Sequence, residues 1–142
     1  MYLTFTDYTT MGGVLTDENL FNDLEYEAES LIDHYTFNRL KNVEYASLPE
    51  EVKKLVKHLI TLLKQRNDAL HTNDTQIESS VESTATVKSQ SNDGVSVTYQ
   101  TLDATDSIKL TEQTVKNTIN RYLGGIKLNN RLLLYRGLYP DE

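Results

Sequence analysis

Residues 47–66 read SLPEEVKKLVKHLITLLKQR, and their pattern indicates a helical protein. Ser47 followed by Glu50 has the form of a capping box, in which each side chain satisfies an exposed amide at the start of a helix. Pro49 suits the first turn, where it removes no helical hydrogen bond. The apolar residues that follow recur every three or four positions, as on one face of an amphipathic helix: Val52, Leu55, Val56, Leu59, Ile60 and Leu63.

The other face of this helix is basic, with Lys53, Lys54, Lys57, Lys64 and Arg66. The preceding residues 16–40 show the same helical period, with Thr16 or Asp17 as the N-cap. The apolar positions of this earlier helix are Leu20, Phe21, Leu24, Ala28, Leu31, Ile32 and Tyr35. We interpret its carboxylate row as a solvated face: Asp23, Glu25, Glu29 and Asp33. Two antiparallel helices with outer faces of opposite charge are expected to form a helical hairpin.

An N-terminal segment precedes the helical hairpin, and a third helix follows it later in the chain. Residues 1–70 hold an N-terminal segment and the two helices, and the apolar side chains before Gly12 and Gly13 predict a short strand or one helical turn packed on the body. Residues 107–125 predict a third helix that ends at two glycines. Its buried face is expected to contain Val115, Ile119 and Tyr122.

Residues 71–106 are rich in Ser, Thr, Asn and Asp and show no helical period. Within them, Asn92, Asp93 and Gly94 have the composition of a tight turn that needs positive φ. The next residues alternate with period two, as in a strand: Val95, Val97 and Tyr99. The segment therefore predicts a β-hairpin or a long extended loop.

Residues 126–142 form an apolar C-terminal tail that contains Leu132, Leu133, Leu134, Tyr135 and Arg136. Burying each large side chain contributes roughly 1.5–3 kcal/mol, so this surface is expected to leave water. It can fold back onto the helices of its own chain or dock on another protein, for which Tyr and Arg are suitable residue types. The predicted fold class is mainly α: a small helical bundle with a long central loop or β-hairpin and an extended C-terminal tail.

Composition narrows the possible functions. The chain has 142 residues, which predicts a single domain, and no cysteine, which excludes disulfides, zinc–thiolate sites and a cysteine nucleophile. The net charge is −7, and ten acidic residues precede position 51 whereas six of the bases follow position 106. An acidic N-terminal part and a basic C-terminal part of the sequence favour contacts between copies or with another protein over a surface that coats nucleic acid.

The sequence gives no sign of catalysis. Its histidines, His34, His58 and His71, accompany no metalloprotease, nucleophile-elbow or phosphate-loop motif. We therefore expect no catalytic residues, no metal and no cofactor, and we predict that the chain is not an enzyme. No stretch approaches the roughly 18 consecutive apolar residues of a membrane span, and the first residues do not resemble a signal peptide, so no membrane partner is expected.

Five pieces, taken in order, give the chain a resemblance to a known family. These are MYLTFTDYTTMGG, LIDHYTFNRLKN, LPEEVKK, SNDGVSVTY and LLLYRGL. Together they resemble the head-tail connector proteins of long-tailed bacteriophages, also called adaptor or head-completion proteins. The resemblance covers almost the whole chain and is weakest over residues 72–89.

The resemblance implies a structural role in the virion neck, after assembly in the host cytoplasm. Such proteins form a homo-oligomeric ring of about twelve copies beneath the portal protein. The ring extends the DNA channel, passes DNA without reading its sequence, and provides the platform for a stopper or tail-completion protein. On this sequence, residues 132–136 would be the portal-docking segment. Asn92 to Val95, with Val97 and Tyr99, would face the ring interior or the stopper.

Two other functions fit the same features. One is a small helical DNA-binding or regulatory protein, although the basic helix has no residues arranged to read base edges. The other is a different neck component, such as a stopper or tail-completion protein. A gel shift with duplex DNA separates the first from a connector.

Overall fold

The chain is mainly helical, as predicted. The computed structural model describes the backbone of residues 1–78, 89–92, 95–98, 104–138 and 140, and the side chains of residues 1–71, 109, 111–138 and 140. The helices are α1 Phe5–Thr10, α2 Glu18–Thr36, α3 Glu50–Glu78 and α4 Ala104–Leu123. The strands are β1 Ser89–Asn92, β2 Val95–Thr98, β3 Lys127–Leu128 and β4 Arg131–Leu132, and they form two antiparallel hairpins.

The core lies between α2, α3 and α4, with α3 packed against both other helices. All six apolar positions predicted on α3 are buried, which confirms the helical period. From the described side chains of α4, the buried residues are Val115, Ile119 and Leu123. From α2, they include Phe21, Leu24, Ala28 and Ile32. Leu20, which was predicted in the same stripe, is instead 39% exposed.

The N-terminal segment forms a short helix, α1, which corresponds to the helical one of the two alternatives predicted for it. Tyr8 in α1 is buried against Phe21, with ring centroids 5.0 Å apart. The Tyr8 hydroxyl accepts hydrogen bonds from the backbone N–H groups of Val14 and Leu15. Gly13 must stay small, because a Cβ there would lie 2.1 Å from the Tyr8 ring. The ring therefore fixes both α1 and the chain that leads into α2.

The start of α3 differs from the predicted capping box. Ser47 lies in a 3₁₀ turn, Tyr45–Ser47, and Leu48 is extended at φ −67°, ψ 133°. A residue before proline is kept out of the helical region by contact with the proline ring, so the helix cannot include Leu48. It begins at Glu50 instead, one residue after Pro49. At α2, by contrast, Asp17 is the N-cap, and its side chain accepts from the amides of Asn19 and Leu20.

The helices on either side of the central segment are longer than predicted. α3 continues eight residues past position 70, to Glu78, and α4 begins at Ala104, before position 107. Extending an existing helix by one residue adds a hydrogen bond at low cost, so polar residues can continue it without apolar periodicity. The predicted polar segment, residues 71–106, is therefore too long, because its first residues belong to α3 and its last residues belong to α4.

The predicted central hairpin is present. β1 pairs antiparallel with β2, and Asn92 lies opposite Val95, which leaves a two-residue connection. Val97 lies opposite Gln90 in the same ladder. The predicted turn residues Asp93 and Gly94, and the predicted strand residue Tyr99, lie outside the described residues.

Candidate interaction surface

Residues 126–138 fold back over the helices, and we call this segment the C-terminal strap. β3 and β4 pair within it, with Lys127 opposite Leu132. The Leu133 amide donates to the Ile126 carbonyl at 3.1 Å, which carries the pairing one residue further. The apolar tail is therefore a folded part of this chain, and the predicted extended tail does not describe residues 126–138.

The turn of the strap is formed by two asparagines. Asn129 has φ 50° and Asn130 has φ 66°. Two consecutive positive φ values are what a two-residue I′ hairpin turn requires, and Asn adopts this region more readily than most residues. The Asn-Asn pair was therefore a readable hairpin signal that the sequence analysis missed.

Replacing Asn130 with valine is expected to destabilise the protein by about 1–2 kcal/mol, because a β-branched residue tolerates positive φ poorly. Urea denaturation measures the change. Asn130→Gly is the matched control, and it should be as stable as the wild type or slightly more stable. Equal stability of the valine variant would mean that the turn has another conformation in solution.

Arg39 anchors the strap to the body. Its Nη1 donates to the carbonyls of Leu133 at 3.0 Å and Tyr135 at 2.6 Å, and its Nη2 donates to the carbonyl of Gly137 at 2.9 Å. The fork of N–H donors in a guanidinium suits several acceptors at once, which a lysine could not reproduce. One side chain therefore fixes alternate carbonyls along the strap.

The end of α2 positions Arg39. Phe37 and Asn38 both have positive φ, 55° and 58°, and the Asn38 amide donates to the Asp33 carbonyl. This left-handed step ends the helix and turns the chain towards the strap. The Phe37 ring then lies against the guanidinium, with its centroid 5.3 Å from the Arg39 Cζ. Nothing in the sequence pattern indicated this role, because Arg39 and its acceptors are 94 to 98 residues apart.

The predicted portal-docking residues do not form one exposed patch. Leu133 is 1% exposed and belongs to the core of its own chain, so its side chain is not exposed for the docking role that was predicted for it. Leu132 and Leu134 are partly buried. The physical reason is local: the pairing of β3 with β4 and the Arg39 hydrogen bonds direct the strap across the helices. The Leu133 side chain is therefore buried by apolar residues of its own chain, without a second polypeptide.

The outer side of the strap remains exposed, and we call Tyr135, Arg136 and Leu138 the strap face. Tyr135 is 48% exposed and Leu138 is 84% exposed. The Tyr135 ring lies over Gly137, where a Cβ would come within 2.5 Å of it. Glycine at 137 therefore lets the tyrosine lie flat on the strap. Two large apolar residues and a cation lie within the four consecutive positions 135–138 of this surface.

A cleft of about 660 Å³ lies beside the strap, between the end of α2 and α4, and we call it the basic groove. Apolar parts of its wall come from Tyr35, Phe37 and Leu134. Its charged and polar rim includes His34, Lys116 and Arg136. The structure therefore brings Leu134 and Arg136 of the predicted docking segment together with residues of α2 and α4 that the sequence analysis did not associate with them.

The acidic row of α2 is not a simple solvated face. Glu25 is buried, and its carboxylate accepts from the Tyr2 amide at 2.6 Å and from the Leu3 amide at 3.3 Å. One turn away, Glu29 forms an ion pair with the amino group of Met1 at 2.7 Å. The Tyr2 hydroxyl donates to Asp33. Because residues i, i+4 and i+8 share one helix face, these carboxylates together hold the first three residues against α2.

Burial is the largest influence on the pKa values of Glu25 and Tyr2. It raises the pKa of Glu25 above the ordinary 4.5, although the two backbone amides partly oppose the shift. Burial and the hydrogen bond to Asp33 also raise the pKa of the Tyr2 hydroxyl. Above its pKa, the Glu25 carboxylate is charged in a poorly solvated place. Its ionisation therefore weakens the folded state relative to the unfolded chain.

This predicts that Glu25→Gln changes the pH dependence of stability. The native state holds the Glu25 proton more tightly than the unfolded chain does, so the wild type loses stability as pH rises from about 4.5 through the raised value. Glutamine keeps an oxygen for the two amides but cannot ionise. The stability of the variant relative to the wild type should therefore grow across this window and then level off.

Urea denaturation from about pH 4 to pH 8 measures that difference. The control is Glu44→Gln, at an exposed position whose side chain caps no helix. Its curve should run parallel to that of the wild type. A parallel curve for Glu25→Gln would contradict the role assigned to burial.

The basic face of α3 is largely occupied within the chain. Arg66 pairs with Glu27 of α2 at 2.8 Å, and Lys64 pairs with Asp68. Lys57 donates to the Met11 carbonyl. Lys53 lies over the Tyr45 ring and near Glu50, so most of this face supports packing and does not form an open cationic track.

No protein-family model, curated protein or solved structure matches this chain. Within the described part of the chain, no group of three or more His, Asp or Glu side chains could hold a metal ion. Among the helices that the structure describes, none combines the length and the apolar character of a membrane span.

Proposed function

We propose that this chain is a structural subunit that acts by docking on other proteins, as a head-tail connector of the virion neck. The observation that carries the proposal is the strap face, where Tyr135 and Leu138 are exposed on a backbone held rigid by Arg39. Exposed aromatic and apolar residues on a fixed scaffold are typical of binding hot spots, because little conformational entropy is lost when they are covered. The portal protein is the proposed partner of this face.

The proposal extends to the rest of the predicted role. Copies of the chain would form a ring, about twelve in the usual cyclic arrangement, that continues the DNA channel and receives a stopper or tail-completion protein. The β1–β2 hairpin, with Asn92, Val95 and Val97, would lie towards the channel or the stopper. A chain with net charge −7 suits a duct, because each cation paired with a phosphate would add affinity for the DNA that has to pass.

The internal pairing of α3 favours this role over DNA binding. A non-specific DNA-binding surface depends on several cations that are free to replace counterions. Here Lys57, Lys64 and Arg66 already contact groups of the same chain. The helix that carries the basic residues is therefore better suited to packing than to phosphate contacts.

Co-elution with purified portal rings tests the proposal. Light scattering on a sizing column should show the chain bound to the portal. The double substitution Tyr135→Ala with Leu138→Asp should weaken binding at least tenfold while the protein stays folded, because it removes the apolar contact. Tyr26→Ala, at another strongly exposed aromatic residue, is the matched control and should bind normally.

Two results would overturn the proposal. One is the absence of any portal complex with the wild type. The other is retardation of duplex DNA at moderate salt, which would indicate the DNA-binding alternative. Portal binding that survives the strap substitutions would reject the strap face as the docking site.

A further inference from the structure

The basic groove has two charges that no residue described by the structure neutralises. Lys116 of α4 and Arg136 of the strap both line it, and among the described residues neither has an ion-pair partner. Phe37 and Leu134 supply apolar wall between them. A groove of this kind fits a segment that combines carboxylates with exposed apolar side chains.

The chain carries such a segment at residues 14–23, which we call the acidic segment. Val14 is 77% exposed, and Leu20 is exposed on the solvent side of α2 although its period predicted burial. Glu18 and Asp23 accompany them and have no ion-pair partner among the described residues. Two exposed apolar residues and two unpaired carboxylates therefore match the groove in both character and charge.

The groove and the acidic segment lie at opposite ends of one helix. The acidic segment leads into the first turns of α2, whereas His34 and Phe37 line the groove at its last turn and beyond. A helix of 19 residues spans about 28 Å at 1.5 Å per residue. The acidic segment therefore cannot reach the groove of its own chain, but the acidic segment of another copy can.

We propose that the basic groove receives the acidic segment of a second copy of this chain, in a head-to-tail contact. Each copy then offers its groove to one neighbour and its acidic segment to the other. A contact between two different patches generates a ring where the rotation closes and a filament where it does not. The inference rests on the proposed function, since it names the surfaces through which the subunits of the ring meet.

Complementary charge reversal tests the contact. One variant combines Lys116→Glu with Arg136→Glu, and the other combines Glu18→Lys with Asp23→Lys. Sedimentation velocity over a concentration series should show self-association of the wild type and at least tenfold weaker association of each variant alone. An equimolar mixture of the two variants should associate like the wild type. In the mixture, the reversed groove of one variant meets the reversed acidic segment of the other, and the two native patches also meet. Added salt should weaken the wild-type association.

The control carries the same change of charge elsewhere: Lys54→Glu with Arg121→Glu, both at exposed positions. It should associate like the wild type, and circular dichroism and thermal melting confirm that all variants are folded. A wild type that stays monomeric at every concentration, equal loss in the control, or no recovery in the mixture overturns the contact.

The outcome is separable from that of the proposed function. Arg136 belongs to both the strap face and the groove, but Tyr135 and Leu138, whose substitution tests portal binding, do not line the groove. Portal capture without self-association therefore rejects only the head-to-tail contact. Loss of portal binding in Lys116→Glu alone, which leaves the strap face unchanged, without self-association of the wild type, assigns the groove to an acidic segment of the portal. If the wild type binds single-stranded nucleic acid and the groove variant does not, the groove is assigned to phosphates. Either of these last two results overturns the head-to-tail contact.

Discussion

Replacing Leu133 with alanine is expected to lower the free energy of unfolding by about 2–5 kcal/mol, the range for truncating a fully buried leucine. Leu133 is 1% exposed in the cluster that contains the buried faces of α2, α3 and α4. Its truncation leaves a cavity where the strap meets the helices, and the strap cannot collapse into that space while Arg39 holds its carbonyls. Urea denaturation with a two-state fit measures the effect.

Leu138→Ala is the matched control for this prediction. It removes the same side chain from the same strap, five residues later, at a position that is 84% exposed. Its stability is expected to stay within about 0.5 kcal/mol of the wild type. If the two variants were equally stable, Leu133 would be exposed in the free protein, and the leucine run would be completed by another polypeptide.

Replacing Arg39 with alanine is expected to cost about 3 kcal/mol and to loosen the strap locally. Three backbone carbonyls lose a charged donor at once, and each such hydrogen bond contributes roughly 1 kcal/mol or somewhat more where it is partly shielded from water. Hydrogen exchange of the Leu133 amide, which pairs with Ile126, should accelerate more than exchange in α3. The combined readout separates strap opening from global unfolding.

Lys41→Ala is the control for charge, since Lys41 is an exposed cation two residues away. It should leave both stability and exchange unchanged. Arg39→Lys should recover only part of the loss, because an ammonium on a flexible stem cannot serve three carbonyls in fixed positions. Full recovery by lysine would mean that charge alone holds the strap.

The burial of Leu133 and the hydrogen bonds of Arg39 limit which residues of the strap can dock on a partner. A free apolar tail would have made the whole leucine run a binding segment, and deleting it would have left a folded protein. With Leu133 in the core and Arg39 bound to the backbone, deletion of the strap is expected to destabilise the chain itself. The docking proposal then rests on the outward side chains Tyr135, Arg136 and Leu138, whose replacement is expected to leave the fold intact.

The amino-acid sequence by itself determined the helices and most of their buried faces. The period of α3 and the Asp17 cap of α2 are local properties, because they depend on residues within a few positions of each other. The hairpin of β1 and β2 was equally readable, since alternation and turn composition are local too. Even the Asn129-Asn130 turn had a local signal.

Only the tertiary structure decided which polar residues serve the fold. Glu25 and Glu29 occupy equivalent positions in a carboxylate row, yet Glu25 is buried because the backbone of residues 2 and 3 lies over it. Arg39 and the carbonyls of the strap are separated by more than ninety residues, and no periodicity relates them. Such contacts depend on where distant elements meet in space. The exposed strap face and the basic groove therefore became visible only once the helices and the strap were placed together.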